Sequence, residues 1–305
     1  MSFAQETKTA LVSHSEGLKH DCCRKAELYG ILYAAGVFSR EKLKLVTTCE
    51  ELAELTVKRL HDQYHIDANL YVTEKKSASA DERKSCKLTV PQKKELARLF
   101  HGLKYTEDEP EHNLKTEMFK CGNCMSAFIR GVFLSAGTVT DPDKGYHLEM
   151  DFLDGASAER FSELLLENGL EPKQTSRKTE HVLYYKDSES IENFLALIGA
   201  TGAAFTIMNK KIERELRSDA NRLANSELAN IGKTVAAAGD QLAAINALRA
   251  AGELERMPDE LKVTAYLRLE HSDATLAKLA SLHEPPITKS GVNHRLKKIM
   301  AWKSQ

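Results

Sequence analysis

Small and apolar residues recur with helical spacing in two short stretches that lie 101 residues apart, "LYGILYAAG" at 28–36 and "IRGVFLSAG" at 129–137. Alignment of the two pairs their small residues: Gly30 with Gly131, Ala34 with Ser135, and Gly36 with Gly137. A glycine and a small residue four positions later share one helix face, which lets two backbones approach closely. We predict that the two helices pack together about a pseudo-two-fold axis; burial of each helix under its own sheet is the alternative.

The elements predicted after each of these helices also recur in the same order. β-Branched runs predict strands, and apolar residues at helical spacing predict helices. In the first half these are strands at 43–48, 69–74 and 86–90 and helices at 51–64 and 91–103, the second helix with Pro91 in its first turn. In the second half these are strands at 146–152 and 181–186 and helices at 156–169 and 190–199. The pattern predicts two α/β halves, at 1–112 and 113–205.

The composition changes from about residue 206, where strand-forming residues become rare and Ala, Leu, Asn, Lys and Arg dominate. We predict a helical linker at 206–220 and an all-α domain at 221–305. Within that domain Pro258 precedes one predicted helix. Ser272 or Asp273 is predicted to cap a second helix and Ser290 a third, and these last two have the spacing of a helix-turn-helix.

The last predicted helix has two chemically different faces. Val292, Leu296 and Ile299 form an apolar stripe for burial. Around the rest of the helix lie polar and basic candidates for DNA binding: Lys289, Ser290, Asn293, His294, Arg295, Lys297 and Lys298. Asparagine suits adenine, lysine suits guanine or phosphate, and a helix start suits phosphate. The alternative is a surface helix whose charges are merely solvated.

Charge is unevenly distributed in this chain of 305 residues, although the net charge is only −1. Residues 1–205 carry 27 Lys and Arg against 32 Asp and Glu, whereas 206–305 carry 16 against 12. The basic end, which includes Lys303, indicates a phosphate-bearing partner, while the acidic first part predicts a protein-interaction or orienting module with little DNA affinity.

Neither a signal peptide nor an apolar run of membrane-spanning length is present, so we expect a cytoplasmic protein with no membrane partner. The chain also has no P-loop, G-x-G-x-x-G or G-x-S-x-G motif, and we therefore assign it no cofactor and no small-molecule substrate.

The six cysteines are expected to be thiols in a reducing compartment. Under the 101-residue offset Cys124 coincides with Cys23, which allows Cys22, Cys23, Cys121 and Cys124 to meet where the two helices begin. We assign no metal ion to the chain, but a Cys₄ zinc site there stays open beside the alternative of buried thiols.

The paired helices resemble those of the LAGLIDADG homing endonucleases, in which an acidic residue before the last glycine of each helix holds a divalent metal ion. Here Ala35 and Ala136 occupy those positions, and a methyl group offers Mg²⁺ no oxygen. The resemblance therefore implies that the endonuclease chemistry is lost and that the chain is not an enzyme. Asp141 and Asp143 are alternative ligands, but "DPDKG" is more simply a turn.

Over almost its full length the chain resembles the WhiA regulators, in the stretches 22–36, 129–152, 224–245 and 285–299. The resemblance implies an α+β fold in which a duplicated αββαββα domain precedes an all-α helix-turn-helix domain similar to sigma-factor region 4. It also adds Lys233 and Thr234 as candidate DNA contacts.

The function that the resemblance implies is that of a bacterial transcription regulator of sporulation, cell division or chromosome segregation. Such a regulator is nucleoid-associated, binds double-stranded promoter DNA, and has a protein partner for its N-terminal domain. Two alternatives remain open, an active Mg²⁺-dependent endonuclease and a nucleoid protein without sequence preference.

Overall fold

The computed structural model describes residues 2–76, 82–177 and 180–302, and the predicted basic residue Lys303 lies outside them. The chain divides into two units, Met1–Arg214 and Glu215–Gln305. In both units, no helix of the described residues has the length and apolarity needed to cross a membrane.

The first unit contains one arrangement of helices and strands twice, and an additional helix at its start has no counterpart among the described residues of the second half. Its first half consists of α1 (Phe3–Glu16), α2 (Asp21–Tyr33), β1 (Val37–Phe38), β2 (Leu43–Thr47), α3 (Glu50–Tyr64), β3 (Asn69–Lys76), β4 (Glu82–Val90) and α4 (Lys93–Gly102). After a short 3₁₀ turn at Thr116–Met118, its second half consists of α5 (Cys124–Ala136), β5 (Gly137–Val139), β6 (Leu148–Phe152), α6 (Gly155–Glu167), β7 (Lys173–Arg177), β8 (Glu180–Tyr185) and α7 (Ser188–Leu197).

Each half forms one antiparallel sheet, in the order β1-β2-β4-β3 and then β5-β6-β8-β7. The registers match as well, since Leu45 pairs with Leu88 in the first sheet and Met150 with Leu183 in the second. All four of these side chains are buried, as expected for strands with one face on the core. The duplicated α+β fold predicted from the sequence is confirmed.

The helices α2 and α5 pack directly on each other at the centre of this unit. A Cβ atom built on Gly30 would lie 2.1 Å from the carbonyl oxygen of Phe128, and one on Gly131 would lie 2.1 Å from the carbonyl oxygen of Glu27. Real side chains never approach so closely, and both positions therefore require glycine. The predicted mutual packing is confirmed, and the alternative of separate burial is wrong.

Charged side chains are buried beside this contact. The carboxylate of Glu27 accepts a hydrogen bond from Arg130 Nε at 2.6 Å and another from Ser15 Oγ at 2.6 Å. Arg59 Nη2 lies 3.8 Å from the same carboxylate. Since Glu27, Arg130 and Arg59 are each at most 5% exposed, the ion pairs are shielded from water.

The second unit is helical throughout. It contains most of α8 (Thr201–Ala250), followed by α9 (Asp259–Glu270), α10 (Leu276–Ser281) and α11 (Lys289–Met300). The predicted linker 206–220 lies inside α8, a single helix of 50 residues. The other predicted domain limits, at 112 and 205, stay predictions.

Three local predictions were wrong. Thr275 and Thr288 cap α10 and α11, rather than Ser272, Asp273 or Ser290, because each threonine accepts a hydrogen bond from the N–H three residues later. Pro91 lies before α4, whose N-cap is Gln92.

Candidate nucleic-acid interface

The helix α11 is held against the rest of the second unit by its apolar stripe. Val292, Leu296 and Ile299 are almost fully buried and join one hydrophobic cluster with Leu261 of α9 and Leu279 of α10. The predicted stripe is therefore the packed side of α11, which fixes the direction in which its polar side chains project.

The remaining surface of α11 carries the predicted DNA-binding residues. Lys289, Ser290, His294, Lys297 and Lys298 are exposed, and Asn293 is half-buried. Among the described residues, no carboxylate oxygen lies within 4.0 Å of the amino group of Lys289, Lys297 or Lys298. The charges of these lysines are therefore not neutralised by any carboxylate of the described residues, and they lie on the same helix as the amide of Asn293.

Arg295 differs from the other basic residues of this helix. Its guanidinium Nη2 lies 3.3 Å from Glu260 Oε2 of α9, and its side chain is 23% exposed. This ion pair holds Arg295 within the domain, so that a DNA contact would compete with Glu260 for the same guanidinium.

A cleft of about 360 Å³ lies where α8, α10 and α11 meet. Lys233 and Thr234 of α8 line it, as do Thr275 beside α10 and Lys289 and Asn293 of α11. Residues separated by more than fifty positions in the sequence therefore contribute to one basic, concave surface. The cleft therefore brings the candidate DNA contacts of α8, Lys233 and Thr234, together with two candidates of α11, Lys289 and Asn293.

Two further residues of this cleft, Gln241 and Arg268, were missed in the sequence. They are 7% and 2% exposed, and Gln241 Oε1 and Arg268 Nε have no hydrogen-bond partner within the described part of the chain. Burial lowers the pKa of Arg268 below its usual value, yet a guanidinium stays charged at neutral pH. The sequence did contain a signal for Arg268, because this charged residue lies between two leucines in "YLRLE".

The acidic residues of a LAGLIDADG endonuclease have no equivalent at the ends of α2 and α5, where Ala35 and Ala136 lie partly buried. A second cleft, of about 340 Å³, opens beside Ala35 and includes Glu111, His112 and Asp154 in its lining. These three side chains of the lining offer atoms that can bind a metal ion.

Both carboxylates of that second cleft already have partners in the protein. Glu111 Oε1 accepts a hydrogen bond from the backbone N–H of Arg40 at 3.4 Å. Asp154 Oδ2 caps α6, accepting from the N–H of Ser157 at 2.9 Å and from its hydroxyl at 2.7 Å. Their present hydrogen bonds stabilise the fold, so a metal ion would have to displace them.

The loop between β5 and β6 has the turn predicted for "DPDKG". Asp141 Oδ1 accepts from the N–H of Asp143 at 2.9 Å, and the Asp141 carbonyl accepts from the N–H of Lys144 at 2.9 Å. Asp143 is itself paired with Lys210, 3.2 Å away. The two aspartates thus close a turn and bind a lysine.

Four cysteine side chains lie together at the starts of α2 and α5: Cys22, Cys23, Cys121 and Cys124. Within residues 2–76, 82–177 and 180–302, this is the one group of three or more side chains that could hold a metal ion. The four sulfur atoms lie within 4.8 Å of one another. The meeting of these cysteines, which the repeat allowed, is present in the structure.

Comparison with known proteins points to one family. The WhiA C-terminal HTH domain matches residues 220–302, and the WhiA LAGLIDADG-like domain matches residues 125–217. "Probable cell division protein WhiA" of Clostridium novyi is 32% identical over 98% of this chain and 96% of its own length. The protein of the same name in Ruminiclostridium cellulolyticum is also 32% identical, over the same shares of the two chains.

A solved structure has a similar fold over the whole chain. The crystal structure of full-length DUF199/WhiA from Thermotoga maritima superposes with a TM-score of 0.58 at 21% identity, covering 99% of this chain and 97% of that one.

Proposed function

Because this chain belongs to the WhiA family, we propose that it is a DNA-binding transcription regulator that acts in cell division. The observation that carries the proposal is the basic cleft of the second unit. It combines the exposed cations Lys233 and Lys289 with the half-buried Asn293, at the start of a well-packed helix.

In the proposed complex α11 enters the major groove of duplex DNA. Asn293 is suited to the N6 and N7 atoms of adenine, since its side-chain amide has both a donor and an acceptor. Lys289, Lys297 and Lys298 neutralise phosphates on either side, which fixes the register of the helix on DNA.

The inner wall of the cleft adds a phosphate contact to this scheme. Arg268 Nη1 already donates to the carbonyl oxygen of Ala274, but its Nε–H has no partner within the described residues, and a phosphate oxygen would satisfy it once the buried side chain moves towards the DNA. Lys233 and Thr234 of α8 would contact the same strand, because they line the same cleft as Lys289. DNA is then held by α8, α9 and α11 rather than by α11 alone.

The first unit has a different role in this proposal, that of orienting the regulator or binding a protein partner. Ala35 and Ala136 provide no metal ligand, and Asp141, Asp143, Glu111 and Asp154 are each held by protein groups. Metal-dependent phosphodiester cleavage is therefore not part of the proposal. Action in the cytoplasm at the nucleoid, and roles in sporulation and chromosome segregation, belong to the same proposal.

The decisive measurement is competition binding by the full-length chain. Genomic fragments crosslinked to the protein in its host supply the candidate operators, and fluorescence anisotropy measures their affinity against random duplex DNA at a fixed salt concentration. A promoter-specific regulator is expected to prefer its operator by roughly 10³-fold or more. Equal affinity for operator and random DNA would instead identify a nucleoid protein without sequence preference.

A further inference from the structure

The four clustered cysteines have the geometry of a coordination site. Cys121 Sγ lies 3.6 Å from Cys22 Sγ, 3.4 Å from Cys23 Sγ and 3.5 Å from Cys124 Sγ. Four thiolates around one Zn²⁺, at Zn–S bonds of about 2.3 Å, define a tetrahedron with edges of about 3.8 Å. The sulfur atoms therefore already lie near the separation that a single ion imposes, and they leave no room for a multi-iron cluster.

Disulfide chemistry accounts for this arrangement less well. A disulfide joins two sulfur atoms at about 2.05 Å, so it would use one pair and leave two thiols pointing at the bond. All six cysteines of the chain are free thiols, and two of them, Cys49 and Cys86, are buried singly elsewhere. Four of the six cysteines therefore lie together, and four is the number of ligands that tetrahedral zinc binds.

Three of the four cysteines also lie at the starts of helices. Cys22 and Cys23 lie in the first turn of α2, and Cys124 is the first residue of α5, where the helix N-terminus stabilises negative charge. Cys23 and Cys124 are buried and Cys121 is exposed, so an ion can reach the site from solvent.

This site lies at the opposite end of the helices from the lost endonuclease ligands. Each helix has 13 residues and is about 20 Å long, and Ala35 and Ala136 lie at or beyond the far ends. The ligands are also sulfur rather than oxygen, which disfavours Mg²⁺. Any ion bound here is therefore unrelated to phosphodiester cleavage.

We propose that Cys22, Cys23, Cys121 and Cys124 bind one structural Zn²⁺ that joins the starts of α2 and α5. Four protein ligands close the coordination sphere and leave no position for substrate, so the ion stabilises rather than catalyses. Binding releases the thiol protons to solvent, and its free energy is added to that of folding. Each half of the duplicated unit supplies two ligands, and the ion thereby links the two halves.

The test begins with full-length protein expressed with zinc in the medium and purified without oxygen or chelator. Elemental analysis is expected to find one zinc per chain, and after denaturation and metal removal all six cysteines should react with a thiol reagent. Replacement of zinc by Co²⁺ should give the intense visible spectrum of tetrahedral thiolate coordination. These readouts do not depend on DNA binding, so failure here leaves the proposed function untouched.

The variant Cys121→Ser removes one proposed zinc ligand and leaves the hydrophobic core intact, because Cys121 is exposed. It should contain no stoichiometric zinc, and a strong chelator should lower Tm in the wild type but not in this variant. Cys49→Ser is the control, since Cys49 Sγ contacts Glu51 outside the cluster, and it should keep its zinc. Absence of stoichiometric zinc in the wild type, iron in its place, or only four reactive thiols would each overturn the proposal.

Discussion

The carbonyl oxygen of Glu27 lies against the α-carbon of Gly131, so closely that a Cβ there would be 2.1 Å from the oxygen. Gly30 has the same relation to Phe128, which stands 101 residues after Glu27. The two contacts are thus exchanged by the pseudo-two-fold axis. This reciprocity explains why both stretches have glycine at the same place.

Gly131→Ala is expected to destabilise the first unit by about 3 kcal/mol or more, because the obstructing atom is backbone and the helices must separate. Urea unfolding followed by circular dichroism measures the effect. Gly202→Ala is the matched control in the same unit, since nothing lies within 4 Å of its Cβ, and it should change stability by no more than about 1 kcal/mol in either direction. Equal unfolding midpoints for the two variants would contradict the close-packing argument.

Glu27→Leu is expected to cost about 3–5 kcal/mol, since it leaves Arg130 and Arg59 buried without a carboxylate. Adding Arg130→Met removes one of the unpaired charges, so the double variant should be more stable than Glu27→Leu alone. Unfolding free energies from a double-mutant cycle provide the measurement. If Glu27→Leu costs no more than Glu163→Ala, which breaks an exposed pair with Arg160, the buried network does not stabilise the fold.

Lys289→Ala and Lys297→Ala are each expected to reduce the slope of log K against log salt by about 0.9, because each lysine neutralises one phosphate. Full-length variants are titrated with operator DNA at several salt concentrations. Lys262→Ala is the control, as its amino group lies 3.2 Å from Asp259 Oδ1, and it should leave the slope unchanged. An unchanged slope for Lys289→Ala and Lys297→Ala would remove α11 from the interface.

Asn293→Ala should act on specificity rather than on the salt slope. Loss of its amide is expected to cost about 1–3 kcal/mol on operator DNA and far less on random DNA, since a direct contact with a base edge is made only where the matching base is present. Anisotropy with both duplexes at one salt concentration gives the ratio. An equal loss of affinity for both duplexes would instead indicate that Asn293 contacts the DNA backbone.

Supercoiled plasmid incubated with the protein and Mg²⁺ or Mn²⁺ is expected to remain intact, because Ala35 and Ala136 offer no metal-binding oxygen. Gel electrophoresis detects nicking. Nicking that disappears in Asp141→Asn, Asp143→Asn or Asp154→Asn would show that another carboxylate has replaced the lost ligands.

Several features of the fold followed from local pattern alone. Apolar periodicity located the principal helices and five strands, since burial of one face imposes that spacing. By contrast β7 was not predicted, because all five of its residues are exposed and its position depends on pairing with β8. The caps of α10 and α11 were misplaced, because several neighbouring hydroxyl and carboxylate side chains can serve and only the backbone geometry selects one.

The sequence by itself determined the duplication and the placing of Ala35 and Ala136 at matching positions, and it allowed four cysteines to meet, because an offset of 101 residues maps each helix on the other. Only the tertiary structure decided the sulfur separations, the buried contact of Glu27 with Arg130 and the cleft that joins Lys233 to Lys289. Such relationships depend on distances between residues far apart in the chain. They are set by how whole helices pack, which no local pattern of apolar and polar residues encodes.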